Sequence, residues 1–220
     1  ISAAAGHAAS PVALLNAAAE IGEHFQYVEH RKGMRNECHL IREPVGVVAA
    51  ISPWNGPLYL ATSKLGPALA AGCTVVLKPA PETPLSAYAL AEACEQAGLP
   101  EGVVSIVPAG RESGQHLVEH SGIDKVSFTG SAAAGSKIMA TCAARMKRVT
   151  MELGGKSAGI VLPDSDPEEF AQQALVGTTI NTGQACALLS RILVPRGRQD
   201  EYVDSLRTAI SQLRQGDPFD

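Results

Sequence analysis

The sequence predicts a doubly wound α/β fold with a mostly parallel sheet, followed by the start of a second α/β domain. Three observations support this. Short apolar runs rich in β-branched residues recur along the chain, helical patterns bounded by glycine and proline separate them, and polar residues capable of chemistry stand at or just after the ends of the apolar runs. Strand and helix alternating over many units favour a parallel sheet covered on both faces. Such sheets bind ligands outside the carboxyl ends of their strands, where Asn55, Lys78, Gly110, Gly130 and Glu152 fall.

Ser10-Pro11 predicts an N-cap followed by proline at the first helical position, opening a helix to about Tyr27. Two extended runs follow, Glu37–Arg42 and Val45–Ile51, and the chain passes through an extended hairpin into the sheet. Pro57 to Ala71 carries a helical pattern closed by Gly72, and Cys73–Leu77 is a buried strand. Thr83-Pro84 starts a helix with Ala87, Leu90, Ala91 and Cys94 on one face, closed by Gly98. Val103–Val107 is a strand, Glu112–Glu119 a helix, Lys125–Phe128 a strand, and Ser131 to about Ala144 a helix of small residues. Val149–Leu153 and Ala158–Leu162 are strands. Asp166-Pro167-Glu168-Glu169 starts a helix with acids in its first turn. Arg191–Val194 is a strand, and Glu201–Leu213 a helix expected to turn Val203, Leu206, Ile210 and Leu213 inward. A domain boundary is expected near Glu152–Gly155, dividing residues 1–152 from 153–220.

Apolar residues at 45% and charged residues at 18% describe a globular chain. The net charge is −4, and the densest basic cluster, Arg145, Lys147 and Arg148, is too short for a nucleic-acid footprint. No stretch reaches the ~18 apolar residues of a membrane span, and Ile1-Ser2-Ala3-Ala4-Ala5 lacks the basic start of a secretory signal. The absent starting Met points to a trimmed or internal fragment. Five cysteines without CxxC spacing argue against zinc or a disulfide framework and fit a reducing cytoplasm. The histidines form no ligand pairs; His116 and His120 share helical spacing on a face expected to be solvated, and no metal is expected.

Four motifs carry chemistry. Gly183-Gln184-Ala185-Cys186 offers a thiol after a polar, turn-forming Asn181-Thr182. Glu152-Leu153-Gly154-Gly155-Lys156 offers a carboxylate near a strand end, with two glycines permitting close backbone approach. Pro53-Trp54-Asn55 offers an amide, and Lys78-Pro79 a cation. In order and near-family spacing these motifs resemble the aldehyde dehydrogenase superfamily, from about Arg42 to Asp220.

The resemblance implies that Cys186 attacks an aldehyde to give a thiohemiacetal, which loses hydride to a nicotinamide ring and becomes a thioester. It makes Glu152 the base that activates the deacylating water, a task for which burial would have to raise its pKa. It makes Asn55 the oxyanion donor and Lys78 the cation on the adenosine ribose. Cys38, Cys73, Cys94 and Cys142 keep a structural reading as small buried hydrophobes. The implied cofactor contacts are Ile51, Ser52, Pro53, Trp54, Asn55, Lys78, Pro81, Glu82, Gly110, Gly114, Phe128, Thr129, Gly130, Ser131, Glu152, Leu153 and Gly154. The resemblance also implies a small-molecule aldehyde substrate and a homo-oligomeric parent protein.

Many NAD-preferring members place a glutamate three residues past the lysine; here that position is Pro81, and Glu82 follows. A displaced carboxylate no longer repels a 2′-phosphate, so NAD is expected with NADP or dual use left open. Phe128-Thr129-Gly130-Ser131 is a strand-to-helix turn whose backbone N–H groups can hold a pyrophosphate, although the GxGxxG fingerprint is absent. Gly130 to Lys137 approaches a P-loop with its lysine and serine in the wrong order, so a nucleotide hydrolase finds little support. Family members continue well beyond the cysteine, so the alternative expectation is a cofactor-binding fragment with little turnover of its own.

Overall fold

The computed structural model describes residues 2–217 and divides them into two units, one from Ser2 to Glu152 and one from Leu153 onward. In the first, helix α1 (Ser2–His24) begins well before Ser10-Pro11 and holds Pro11 in its interior, which corrects the expected N-cap. Ser10 Oγ instead donates back to the Gly6 carbonyl at 2.8 Å. Alanines around Pro11 favour helix strongly enough to outweigh the one backbone bond that proline removes.

Strands β1 (Val28–Lys32) and β2 (Glu37–Ile41) form an antiparallel hairpin, with His30 opposite His39. The sequence Val-Glu-His-Arg-Lys of β1 gave no apolar signal, and that strand was not expected. The run expected from Val45 enters the main sheet as β3 (Val47–Ile51).

Next come α2 (Pro57–Ala70), β4 (Thr74–Lys78), α3 (Leu85–Gln96), β5 (Val104–Ile106), α4 (Arg111–Glu119), β6 (Lys125–Gly130), α5 (Ala132–Ala143) and β7 (Arg148–Leu153). The five strands lie in the order β5-β4-β3-β6-β7. β3 pairs parallel with β4 and β6, and β4 pairs parallel with β5. Strand order runs one way from β3 through β4 to β5, then reverses at β6. Doubly wound sheets open a ligand crevice at such a reversal; here it lies between the carboxyl ends of β3 and β6.

Alternate strand residues build the core beneath this edge. Val48, Ala50, Val75 and Leu77 face Ala61 and Leu65 of α2 and Leu90 of α3. Leu65 is 1% exposed. Leu65→Ala is therefore expected to cost about 2–5 kcal/mol, since the close-packed surroundings relax only partly into the gap. The denaturant midpoint of the chain measures this.

In the second unit, β8 (Ser157–Ile160) is followed by α6 (Pro167–Thr179), and β8 pairs parallel with β9 (Leu189–Leu193). Asp166 caps α6 as expected, its Oδ1 accepting from the backbone N–H groups of Glu168 at 3.0 Å and Glu169 at 2.9 Å. Helix α7 (Gln199–Ser211) departs from expectation. It buries Tyr202 and Ala209, whereas Val203, Ile210 and Leu213 are 42%, 53% and 42% exposed. The Tyr202 hydroxyl donates to the Ser165 carbonyl at 2.8 Å, and its ring meets Phe170 edge-on. The larger buried area and this polar anchor decide which face of α7 turns inward.

Among the described residues no helix is long and apolar enough to cross a membrane. Nor do three or more His, Cys, Asp or Glu side chains gather where they could hold a metal ion.

Candidate functional site

Because β3, β4 and β6 run parallel, their last residues share one edge of the first unit. Ile51 and Ser52 end β3, Lys78 ends β4, and Phe128 to Ser131 close β6 and lead into α5. The Ser52 N–H donates to the Lys78 carbonyl at 3.1 Å, tying the two strand ends together. Ser52 is 4% exposed, and among the described residues its Oγ is the buried side-chain polar atom without a hydrogen-bond partner. A buried hydroxyl in that state carries a desolvation cost that a ligand hydroxyl or phosphate oxygen could relieve.

Lys78 is 5% exposed, and its ammonium donates to the Pro79 carbonyl at 2.9 Å. Burial pushes its pKa below the usual lysine value, partly opposed by the Glu82 carboxylate. Pro81 and Glu82 themselves are exposed. A Cβ at Gly114 would come 3.1 Å from Lys78 Cε, so α4 packs closely against this lysine through a glycine. Gly110 sits at the N-cap of α4. On the far side of Lys78 a cleft of about 370 Å³ follows the sheet beneath α4, lined by Val47, Val76, Val107, Leu117 and His116.

At β6 a Cβ on Gly130 would lie 2.5 Å from Phe128 Cζ, so only glycine fits there. Ser131 caps α5, its Oγ accepting from the Ala134 N–H at 3.3 Å. The strand, turn and helix read from the sequence are thus present, with backbone N–H groups at the helix start. Thr129 is buried and accepts a 2.6 Å hydrogen bond from Lys64 Nζ.

Lys64 itself escaped the sequence reading. Its position was the available signal, because Ala61, Lys64, Leu65 and Ala68 share helical spacing on the core side of α2. A lysine there is expensive unless it has a partner.

Asn55 is half-buried between β3 and α2, with Gly56 as the helix N-cap and Pro57 at its start. Trp54 is 46% exposed, and its carbonyl accepts from Thr83 Oγ1 at 3.5 Å. Pro53 and Leu153 are half-buried, and Gly154 is exposed. Glu152 is exposed near the end of β7, so the described residues do not supply the burial expected for its carboxyl group.

Cys186 belongs to the second unit and is exposed. The turn before it is strained: Asn181, Thr182 and Gly183 all take left-handed conformations, with φ of 53°, 58° and 78°. For a β-branched threonine this is unusual, and such outliers collect at functional turns. Asn181 Nδ2 bridges the turn to the Gln184 carbonyl at 3.2 Å. A Cβ at Gly155 would sit 3.2 Å from the Cys186 carbonyl oxygen, so a glycine of the Glu152-Leu153-Gly154-Gly155 motif adjoins the cysteine backbone.

Of the other cysteines, Cys73 and Cys142 are buried and Cys94 is half-buried. Burial pushes the Cys94 and Cys142 thiols up, away from the reactive thiolate. Cys38 corrects the expectation of burial: it is exposed on the hairpin, its thiol against the Arg31 carbonyl at 3.4 Å.

The sequence profile of the aldehyde dehydrogenase family matches residues 1–220. Geranial dehydrogenase of Castellaniella defragrans is 48% identical over 95% of this chain and 44% of its own length. A solved aldehyde dehydrogenase of Mycobacterium tuberculosis, complexed with NAD+, superposes with a TM-score of 0.93 at 45% identity, covering 97% of this chain and 44% of that one. An NADP-dependent enzyme of E. coli gives 0.92 at 39% identity, covering 98% and 45%. The chain therefore spans less than half the length of these relatives.

Proposed function

This chain belongs to the aldehyde dehydrogenase family, and from that membership we propose that its protein oxidises an aldehyde to a carboxylic acid. Cys186 is the nucleophile, Asn55 the oxyanion donor, Glu152 the base for hydrolysis, and NAD(P) the oxidant. Residues 1–152 form the dinucleotide-binding part, and residues from 153 begin the catalytic part that carries the thiol.

The observation that carries the reading is the strained turn Asn181-Thr182-Gly183 presenting an exposed thiol. As a thiolate, Cys186 adds to the aldehyde carbon, and negative charge develops on the former carbonyl oxygen. The Asn55 amide donates to that oxygen, a stabilisation preorganised by the turn between β3 and α2. Loss of hydride from this adduct leaves a thioester on Cys186. Glu152 then takes a proton from water as the water attacks the thioester carbon, and the thiolate departs.

The first unit fits a dinucleotide on its own features. Ser52 offers an unsatisfied buried hydroxyl, Gly114 bares a helix backbone beside Lys78, and Gly130 clears space at the start of α5. Ser52 and Lys78 would hold the ribose end, and Thr129 to Ser131 the phosphates. The bound group supplies the hydride acceptor. Of the solved relatives, one carries NAD+ and another is NADP-dependent; with Pro81 in place of a carboxylate at the ribose end, both dinucleotides are candidates.

Calorimetric titration of the chain with NAD+ and NADP+, followed by an aldehyde panel on the complete protein, tests the proposal. Binding of neither dinucleotide, or no aldehyde-dependent reduction of either, would overturn it. Asn55→Ala is expected to lower kcat by about 10²–10³ with little change in dinucleotide affinity. A second reading, a cofactor-binding piece with little turnover, draws on the chain's 44% span of the Castellaniella protein. It predicts titratable dinucleotide binding with turnover far below that of the complete protein.

A further inference from the structure

The hairpin of the first unit brings together two side chains that the aldehyde chemistry leaves unused. His30 on β1 stands directly opposite His39 on β2. Backbone bonds from the Arg42 N–H to the Tyr27 carbonyl and from the Gly33 N–H to the Asn36 carbonyl close the two ends of the hairpin. Paired positions alternate along an antiparallel ladder, so these bonds put His30 and His39 at a non-hydrogen-bonded position, where opposed side chains come closest. Their ring centroids are 4.2 Å apart, with an interplanar angle of 68°. Rings set at a steep angle can aim one nitrogen each at a common point, which stacked rings cannot. Both residues are exposed, and among the described residues their rings make no hydrogen bond. The pair was hidden in the sequence because the register of two strands, one of them unexpected, closes the gap between them.

We propose that His30 and His39 form a two-imidazole site for a divalent transition ion of the zinc, nickel or copper kind, which bridges the two strands. Neutral imidazole nitrogen is a good ligand for these ions. On the same face Lys32 stands opposite Glu37, so the charges flanking the site offset each other. Among the described residues no group of three or more His, Cys, Asp or Glu is placed to hold a metal ion. Two imidazoles therefore carry the ion, and water fills its remaining positions. The other histidine pair is a poorer chelate. The ring centroids of His116 and His120 are 5.8 Å apart, and His120 Nδ1 accepts from the Gly122 N–H at 3.1 Å. That bond leaves the proton of the neutral His120 ring on its other nitrogen. A bridging ion matters to this hairpin, because a lone two-stranded hairpin is marginal in water and β1 is almost wholly exposed. Opening the hairpin separates the two ligands, so the ion favours the closed form. None of these residues belongs to the candidate site, and the proposal does not rest on the dehydrogenase reading.

Two measurements with Zn²⁺ test this. Cys38 and Cys186 are exposed thiols that compete for zinc, so both measurements use the 220-residue chain carrying Cys38→Ser and Cys186→Ser. With ¹⁵N in the histidine rings, the His30 and His39 signals, assigned by their loss in His30→Gln and His39→Gln, should move together with one shared Kd. In His30→Gln the His39 ring, now a lone ligand, should need about 10-fold more zinc or beyond, and the reverse should hold in His39→Gln. Amide hydrogen exchange supplies the second readout. At zinc tenfold above that Kd, exchange of the β1 and β2 amides should slow by about 10-fold, and not in His30→Gln. Both substitutions fall on exposed positions, where stability changes little.

The site is overturned if either ring responds without the other, or if His39 keeps its zinc affinity in His30→Gln. No response of either ring up to about 1 mM zinc overturns it as well, as do shifts that spread equally to His116 and His120. Hairpin exchange that zinc leaves unchanged overturns the bridge between the strands. Each of these outcomes leaves the dehydrogenase reading standing, and failure of that reading leaves the metal site standing.

Discussion

Cys186→Ala is expected to reduce aldehyde oxidation by about 10⁴-fold or more while leaving dinucleotide binding within a factor of about two. The asymmetry follows from where the residue stands. Cys186 lies in the second unit, whereas the strand ends, the orphaned Ser52 hydroxyl and Lys78 lie in the first. On the proposed mechanism, removing the sulfur would take away the atom that bonds the acyl group, so hydride would have no thiohemiacetal to leave. Parallel substitutions supply the contrast. Cys38→Ala, on an exposed hairpin, should leave both turnover and stability near wild type. Cys142→Ala empties a fully buried position and should lower stability without a selective loss of turnover. If Cys186→Ala keeps normal turnover and one of the others loses it, the nucleophile has been misassigned.

The turn before Cys186 could be read from the sequence because glycine and polar residues spell it, and the strands could be read because their apolar runs are short and glycine-bounded. What failed did so for physical reasons. Strand β1 carries Val-Glu-His-Arg-Lys, and its pairing with β2 is fixed by partner strand and register rather than by an apolar face. Helix α7 has an apolar stripe at Val203, Leu206 and Ile210, yet Tyr202 took the inner position because its ring has Phe170 to meet and its hydroxyl has the Ser165 carbonyl. Helix α1 runs through Pro11 because the alanine-rich sequence around it tolerates one missing bond.

At the candidate site, local motifs were visible and long-range pairs were not. Gly130 and Gly114 could be named, but the ring that crowds the first and the lysine packed on the second appear only in three dimensions. The Lys64 to Thr129 bond spans 65 positions of sequence, and a lysine in a helical pattern reads by default as solvated. The left-handed Asn181 and Thr182 were equally hidden, because φ is set by the fold around a turn and not by composition alone.

Glu152→Gln should separate the two halves of the reaction. An amide has nearly the shape of a carboxylate but cannot accept a proton from water, so thioester formation should proceed and hydrolysis should stall. The expected trace is a burst of reduced cofactor close to one equivalent per site, followed by a steady state about 10²- to 10⁴-fold below wild type. Mass spectrometry of the stalled protein should find the acyl group on the peptide containing Cys186. Hydroxylamine, a strong nucleophile that cleaves thioesters without a protein base, should release that acyl group and restore much of the lost turnover. Glu152 is exposed in this chain, so simple loss of packing is a weak rival explanation, and an unchanged unfolding midpoint would set it aside. Absence of the burst would mean that Glu152 acts before hydride leaves, for instance in generating the thiolate. A burst followed by normal turnover would move the hydrolytic base to another residue.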